Sequence, residues 1–187
     1  MKTVIGIIGP IGSGKDTAAE YLHKKLGIPF YQISSVLKDI CHDRGIAPSR
    51  ENLIELGTTL ASQHGDSYLA RYLLDRASDV SLIVGMRQLG QVDYLRQNSR
   101  LTLIAINASA PIRYKRAMLR GKLGEAKTLE AFKRLEIKEN SPPRVQRLFE
   151  CMRRADYTVV NNGQKIDLFR KLLAIMNQEK LLGKPAT

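Results

Sequence analysis

The chain has 187 residues, 43% hydrophobic and 26% charged, with 30 Lys+Arg against 18 Asp+Glu and a formal net charge of +12. That length carries one domain with a full hydrophobic core, and no run approaches the roughly 18 apolar residues of a membrane span. The two cysteines, Cys41 and Cys151, form no C-x-x-C and belong to no zinc-type cluster, while the positive charge favours polyanionic partners, whether nucleotides, phosphorylated metabolites or nucleic acid.

The N-terminal run Thr3-Val-Ile-Gly-Ile-Ile8 predicts a strand over Val4–Ile8. Its single preceding lysine is not the charged segment of a signal peptide. Together with two unpaired cysteines this makes the expected setting reduced and cytoplasmic. Residues Gly9 to Lys15 then read Gly-Pro-Ile-Gly-Ser-Gly-Lys. A strand running into that loop and on into a helix is the context of a phosphate-binding P-loop. Gly9, Gly12 and Gly14 allow a tight turn with backbone N–H groups aimed inward, Ser13 lies within the loop, and Lys15 adds a charge for the terminal phosphates. The helix N-terminus faces the same anion. The usual form is G-x-x-x-x-G-K-[ST]; here Asp16 stands at the last position and Thr17 follows. A Gly-rich turn that binds nothing is the plain alternative, and the G-x-G-x-x-G dinucleotide pattern is not met.

Helical spacing continues over Thr17–Leu26 and ends at Gly27, and Phe30–Ile33 reads as a short strand. Ser34 or Ser35 is placed to cap a helix Val36–Arg44, Ser49 one at about Glu51–His64, and Asp66 one at Tyr68–Ser78. Strands follow at Val80–Val84, Leu101–Ile106 and Tyr157–Val160, with helices at Leu89–Gln97, Ala110–Leu119, Thr128–Glu139, roughly Arg144–Arg153 and Ile166–Gln178. Gly121–Lys127 reads as a mobile loop and the tail after the last helix as frayed. Five nearly continuous apolar strands separated by helices predict an α/β fold with a five-stranded parallel sheet covered on both faces.

Ligands of such sheets sit beyond the strand C-terminal ends. Arg87 lies just past Val84 at such an end, placed to grip a phosphate as a fork or to form a surface ion pair. Arg113, Arg116 and Arg120, at helical spacings, share an anion or stand as three solvated arginines; Arg134 lies across the flexible loop. Asn161-Asn-Gly163 follows the last strand, as ligand loop or plain turn. Basic residues concentrate in Arg113–Arg134 and Arg144–Arg154, but no aromatic-rich motif supports nucleic-acid binding.

The ordered set Gly9-Pro-Ile-Gly-Ser-Gly-Lys-Asp-Thr17, Ser34-Ser-Val-Leu-Lys38, Gly85-Met-Arg87, Ile106-Asn-Ala-Ser-Ala-Pro-Ile-Arg-Tyr-Lys-Arg116, Leu119-Arg-Gly121, Phe132-Lys-Arg134 and Ala155-Asp-Tyr-Thr-Val-Val-Asn-Asn-Gly163 resembles P-loop small-molecule kinases of the adenylate kinase and dephospho-coenzyme A kinase type. It is most similar to a mainly archaeal adenylate-kinase-related family. The resemblance implies a single P-loop NTPase three-layer domain over 1–187, with acceptor-binding helices at about 34–78 and a lid at about 116–140. It implies ATP held by the P-loop and Mg²⁺ near Thr17 and Asp16. Lys38 and Arg87 would take a phosphorylated acceptor. Lys15, Arg87, Arg116, Arg120 and Arg134 would surround the transferred group, and Asn161 and Gly163 the donor base. The implied activity is ATP-dependent phosphoryl transfer to a nucleoside monophosphate or similar acceptor; the alternative is a catalytically weak nucleotide-binding protein or ATPase with a regulatory or RNA-assembly role. Three acidic positions of the related proteins are changed here, to Val84, Gln91 and Leu135.

Overall fold

The computed structural model describes residues 1–121, 126–142 and 145–181. Strands β1 (Thr3–Ile8), β2 (Phe30–Gln32), β3 (Val80–Val84), β4 (Arg100–Asn107) and β5 (Tyr157–Val160) form a five-stranded sheet in the order β2-β3-β1-β4-β5. Every neighbouring pair is parallel. The helices between them are α1 (Lys15–Leu26), α2 (Ile33–Asp43), α3 (Arg50–His64), α4 (Tyr68–Arg76), α5 (Leu89–Asn98), α6 (Ala110–Leu119), α7 (Leu129–Glu139), α8 (Leu148–Arg153) and α9 (Lys165–Gln178). The fold is the α/β arrangement expected from the alternating pattern.

Side chains alternate across the sheet. Ile5, Ile7, Leu82, Val84, Ile104 and Ile106 pack with Ala18, Ala19 and Leu22 of α1 and Leu168 and Leu172 of α9. Val4, Ile8, Ile83 and Leu103 point the other way, into a core built with α2 to α5 and α8. Both faces are therefore apolar, which is why the strands read as runs and not as alternation. A third, small cluster of Ala117, Ala126 and Phe132 joins α6 to α7 and is packed against Ile11 of the loop after β1. The register pairs Ile7 with Val84 and Ile8 with Ala105, so the ends of β1, β3 and β4 open on one edge.

Some local expectations gave way to tertiary contacts. Helix α2 begins at Ile33 with Gln32 as N-cap, and neither Ser34 nor Ser35 caps it. Asp66 does not cap α4, whose N-cap is Ser67. Its carboxylate accepts from the Gly90 amide at 2.9 Å, serving the first turn of α5 instead. Helix α8 starts at Leu148, not near Arg144, which with residue 143 is outside the described residues. Residues 122–125 of the predicted mobile loop and the tail from 182 onward are also outside them. Cys41 and Cys151 are buried and unpaired. Burial pushes the Cys151 thiol up to about 12, so it offers no thiolate at neutral pH. No helix among the described residues is long and apolar enough to cross a membrane.

Candidate functional site

The loop leaving β1 is closed by contacts that admit only glycine. Gly12 has φ 76° and lies against the Arg113 backbone, where a Cβ would strike the carbonyl. Gly14, at φ 101°, is the N-cap of α1, and a Cβ there would strike the Asn161 amide. Asn161 supports the loop from below, donating from Nδ2 to the Ser13 carbonyl at 2.7 Å. The Ser13 hydroxyl is 0% exposed and has no partner among the described residues. Lys15, with a 14% exposed side chain, opens α1, and its Nζ lies 3.5 Å from Asp16 Oδ2. The first amides of α1 have no intrahelical acceptors. Loop, helix end, buried hydroxyl and lysine together make an anion cradle. These residues fit a nucleotide triphosphate. For Mg²⁺, Thr17 and Asp16 supply oxygen donors of the type that cation takes; no cluster of three ligating side chains occurs among the described residues.

Arg113 and Arg116 of α6, and Arg120 just past its end, do different things. Arg113 is buried and forks onto Glu136 of α7, with Nη1 and Nη2 donating at 2.6 and 2.8 Å. Its Nε donates to the Ala108 carbonyl at 2.9 Å and its guanidinium stands over the Phe132 ring. A shared anion for all three is thereby ruled out, because Arg113 belongs to the joint between α6 and α7. Arg116 donates to the Asn161 carbonyl at 2.9 Å and more weakly to those of Gly12 and Gly163, each at 3.4 Å. It ties the P-loop to the loop after β5. Burial, and then the like charge of Arg120, lowers its pKa from the guanidinium's ordinary value. Arg120 reaches Thr17 Oγ1 at 3.5 Å. Beside them, Asn161, Gly163, Asp167 and Lys171 border a cleft of about 320 Å³.

A second polar group gathers beyond β3. Arg87 donates from Nη1 to Gln146 Oε1 at 3.0 Å, and its carbonyl accepts from the Arg147 amide at 2.7 Å. Burial lowers its pKa; Glu139 opposes that shift and Arg50 adds to it. Arg50, the first residue of α3, pairs with Glu139, the last of α7, through Nε at 2.5 Å and Nη2 at 2.6 Å. Gln91 caps the start of α5, its Oε1 accepting from the Arg87 amide at 2.9 Å. Lys15 at the start of α1, Arg116 on α6 and Arg120 just past it thus gather around the Gly9–Lys15 loop, while Arg87 stands past the end of β3. Lys38 is exposed on α2. Arg134 is exposed on the side of α7 away from Phe132 and Glu136, where it borders a cleft with Ala131, Leu135 and Lys138.

The changed acidic positions are legible in the packing. Val84 is 1% exposed among Ile5, Ile7 and Ala18. Val84→Asp would bury a carboxylate there, and urea denaturation is expected to show a loss of about 2–4 kcal/mol; a loss below about 0.5 kcal/mol would mean that the carboxylate finds a cationic partner. Sequence reasoning missed Arg50, Glu136, Glu139 and Gln146. The available signal was Phe132, Glu136 and Glu139 at i, i+4 and i+7, which sets two acids on the apolar stripe of α7.

Residues 5–139 match the family model described as an AAA domain. A UPF0200 protein of Hyperthermus butylicus is 30% identical over 142 residues, 74% of this chain and 76% of its own length. The UPF0200 protein of Methanocaldococcus jannaschii is 27% identical over 181 residues, covering 94% of this chain and 89% of that one. Among solved structures, shikimate kinase from Acinetobacter baumannii in complex with shikimate superposes with a TM-score of 0.63 at 20% identity, covering 97% of this chain and 96% of that one. A gluconokinase from Sinorhizobium meliloti gives 0.54 at 16% identity, with coverages of 96% and 95%. At such identities these two are similar in fold.

Proposed function

The chain belongs to the UPF0200 family and matches the AAA-domain family over residues 5–139, and on that premise we propose that it transfers the terminal phosphoryl group of ATP to a nucleoside monophosphate or similar small phosphorylated acceptor. The P-loop kinase-like fold supports nucleotide binding and phosphoryl transfer in general. The observation that carries it is the pairing of two cation-bearing strand ends. β1 and β3 are neighbours in register at Ile7 and Val84. Each runs on within three or eight residues to an anion-binding group, Arg87 on one side and the Gly9–Lys15 cradle on the other.

In this reading Gly9, Gly12, Ser13, Gly14 and Lys15 hold the donor phosphates, and Asn161 and Gly163 border the donor base. Mg²⁺, bound near Thr17 and Asp16, would neutralise phosphate charge. Arg87 and Lys38 bind the acceptor, Arg87 being the fixed one. An acceptor oxygen forms a bond to the terminal phosphorus while the bond to the ADP oxygen breaks. Such transfers need positioning and charge neutralisation more than covalent help. Arg116 and Arg120 stand beside the cradle for that purpose, and Arg134 is assigned to it by the lid reading.

A second reading has an observation of its own. Arg50 and Arg113 are both engaged with carboxylates of α7, and Val84 supplies no acid. That favours a nucleotide-binding protein or ATPase with little transfer activity. The two separate in one assay. The protein is incubated with ATP, Mg²⁺ and a panel of nucleoside monophosphates plus dephospho-coenzyme A, and ADP is followed. Acceptor-dependent ADP is expected. Tight ATP binding without turnover on any acceptor would replace the kinase by the second reading.

A further inference from the structure

The Arg50–Glu139 pair is built unlike a closed structural salt bridge. Glu139 is buried, with a side chain 6% exposed, and accepts from two nitrogens of Arg50. The third, Arg50 Nη1, is buried with no partner among the described residues. A buried donor left unpaired is costly unless something else meets it. Arg87 stands beside this end of α7: its Nη1 donates to Gln146 Oε1 at 3.0 Å, and two residues further on the Leu148 amide donates to Oδ1 of Asn140, the neighbour of Glu139, at 2.9 Å. Glu139 and Arg50 act on its proton affinity in opposite directions, and among the described residues its guanidinium bonds only the neutral side chain of Gln146. The other acids near Arg87 are already engaged, Glu136 by Arg113 and Asp16 by Lys15. Two guanidinium groups therefore stand near one carboxylate, and Arg50 alone bonds it. That leaves a unit of positive charge and at least one aimed N–H unanswered.

We propose that Arg50 is a second anion-binding residue of the acceptor site and that Glu139 holds the place of the acceptor's phosphate there, so that acceptor and the C-terminal end of α7 compete for the same guanidinium. The inference rests on the kinase reading for the identity of the site. A phosphate monoester brings nearly two charges and three acceptor oxygens where the carboxylate brings one charge and two oxygens. Exchange answers Arg87, Arg50 and the free Nη1 together. The Arg113–Glu136 fork lies about one turn earlier on α7 and stays in place, so only the last turn is released. Acceptor binding and the posture of α7 are then linked reciprocally.

The test uses the full chain with Lys15→Ala, which keeps added anion off the P-loop, and inorganic phosphate as probe at constant ionic strength. Calorimetry is expected to show Glu139→Gln, in that background, binding phosphate about tenfold more tightly, because the neutral amide competes less well. Arg50→Gln is expected to weaken it by about tenfold or more. Hydrogen exchange of the amides of Leu135 to Glu139 should speed up on phosphate addition to Lys15→Ala, and be fast and insensitive to phosphate once Glu139 is Gln. If Glu139→Gln fails to fold, Glu139→Asp, with the same charge and a shorter reach, should move affinity the same way by less. Affinity unchanged or lowered by Glu139→Gln, unaltered exchange at saturating phosphate, or no phosphate binding to Lys15→Ala would each overturn the proposal. ATP titration of the unaltered chain is separate, so failure of the P-loop reading and failure of this one are told apart.

Discussion

Lys15→Ala is expected to cut affinity for Mg²⁺-ATP by at least about a hundredfold and to remove any turnover that depends on it. The side chain leaves α1 at its first residue, beside a loop whose backbone is fixed by Asn161 and by the Arg113 backbone. A hydrogen bond between charged partners contributes about 1.5–3 kcal/mol even where water competes. At a partly buried position such as this one the contribution stands near the upper end, and about 1.4 kcal/mol is a factor of ten. The cradle itself does not depend on the ammonium, since Gly12, Gly14 and Asn161 shape it. Thermal unfolding should therefore change little while calorimetric binding is lost. ATP affinity within a factor of about three of the unaltered protein would mean that the Gly9–Lys15 loop is a structural turn.

The glycines and the strands were legible because their causes are local. A loop between a buried strand and a helix that carries Gly at these three spacings has few other uses, and parallel strands with two covered faces show themselves as apolar runs. Arginine roles on α6 were not legible to the same degree. Spacing puts Arg113, Arg116 and Arg120 near one face, but the partner that separates them lies on another helix, 23 residues on for Glu136. Arg50 meets Glu139 across 89 residues, a distance over which no periodicity speaks. Asp66 makes the same point for capping. Its place before α4 is the local expectation, and the first turn of α5 is where the fold sets it. The acids of α7 were the missed clue. Glu136 and Glu139 on the stripe of Phe132 had to be buried, and buried carboxylates need cations.

That need makes Arg113→Ala the most damaging single change expected outside the Gly9–Lys15 loop. Arg113 and Glu136 have side chains only 7% and 13% exposed. Removing one member of such a pair leaves the other's charge buried, at a cost of about 3–5 kcal/mol. Here the loss also takes away the donor to the Ala108 carbonyl and the cover over Phe132. Arg116→Ala supplies the control. It strands no carboxylate, only backbone carbonyls near solvent, and is expected to cost less than about 1.5 kcal/mol. Urea denaturation of the two variants should separate them clearly. Replacing both partners by apolar residues of similar size, Arg113→Met with Glu136→Leu, is expected to recover most of the loss, because no charge is then left unpaired. The doubly changed protein also isolates the pair's effect on the P-loop. Arg113 Nη1 reaches the Ile11 carbonyl at 3.4 Å, so restored stability with weakened ATP binding would show that the guanidinium shapes the loop directly. Restored stability with unchanged ATP binding would show that it acts only by fastening α7 to α6. A loss below about 1 kcal/mol for Arg113→Ala would instead mean that Glu136 finds water or another cation, and that α7 is held chiefly by Phe132 and its apolar neighbours.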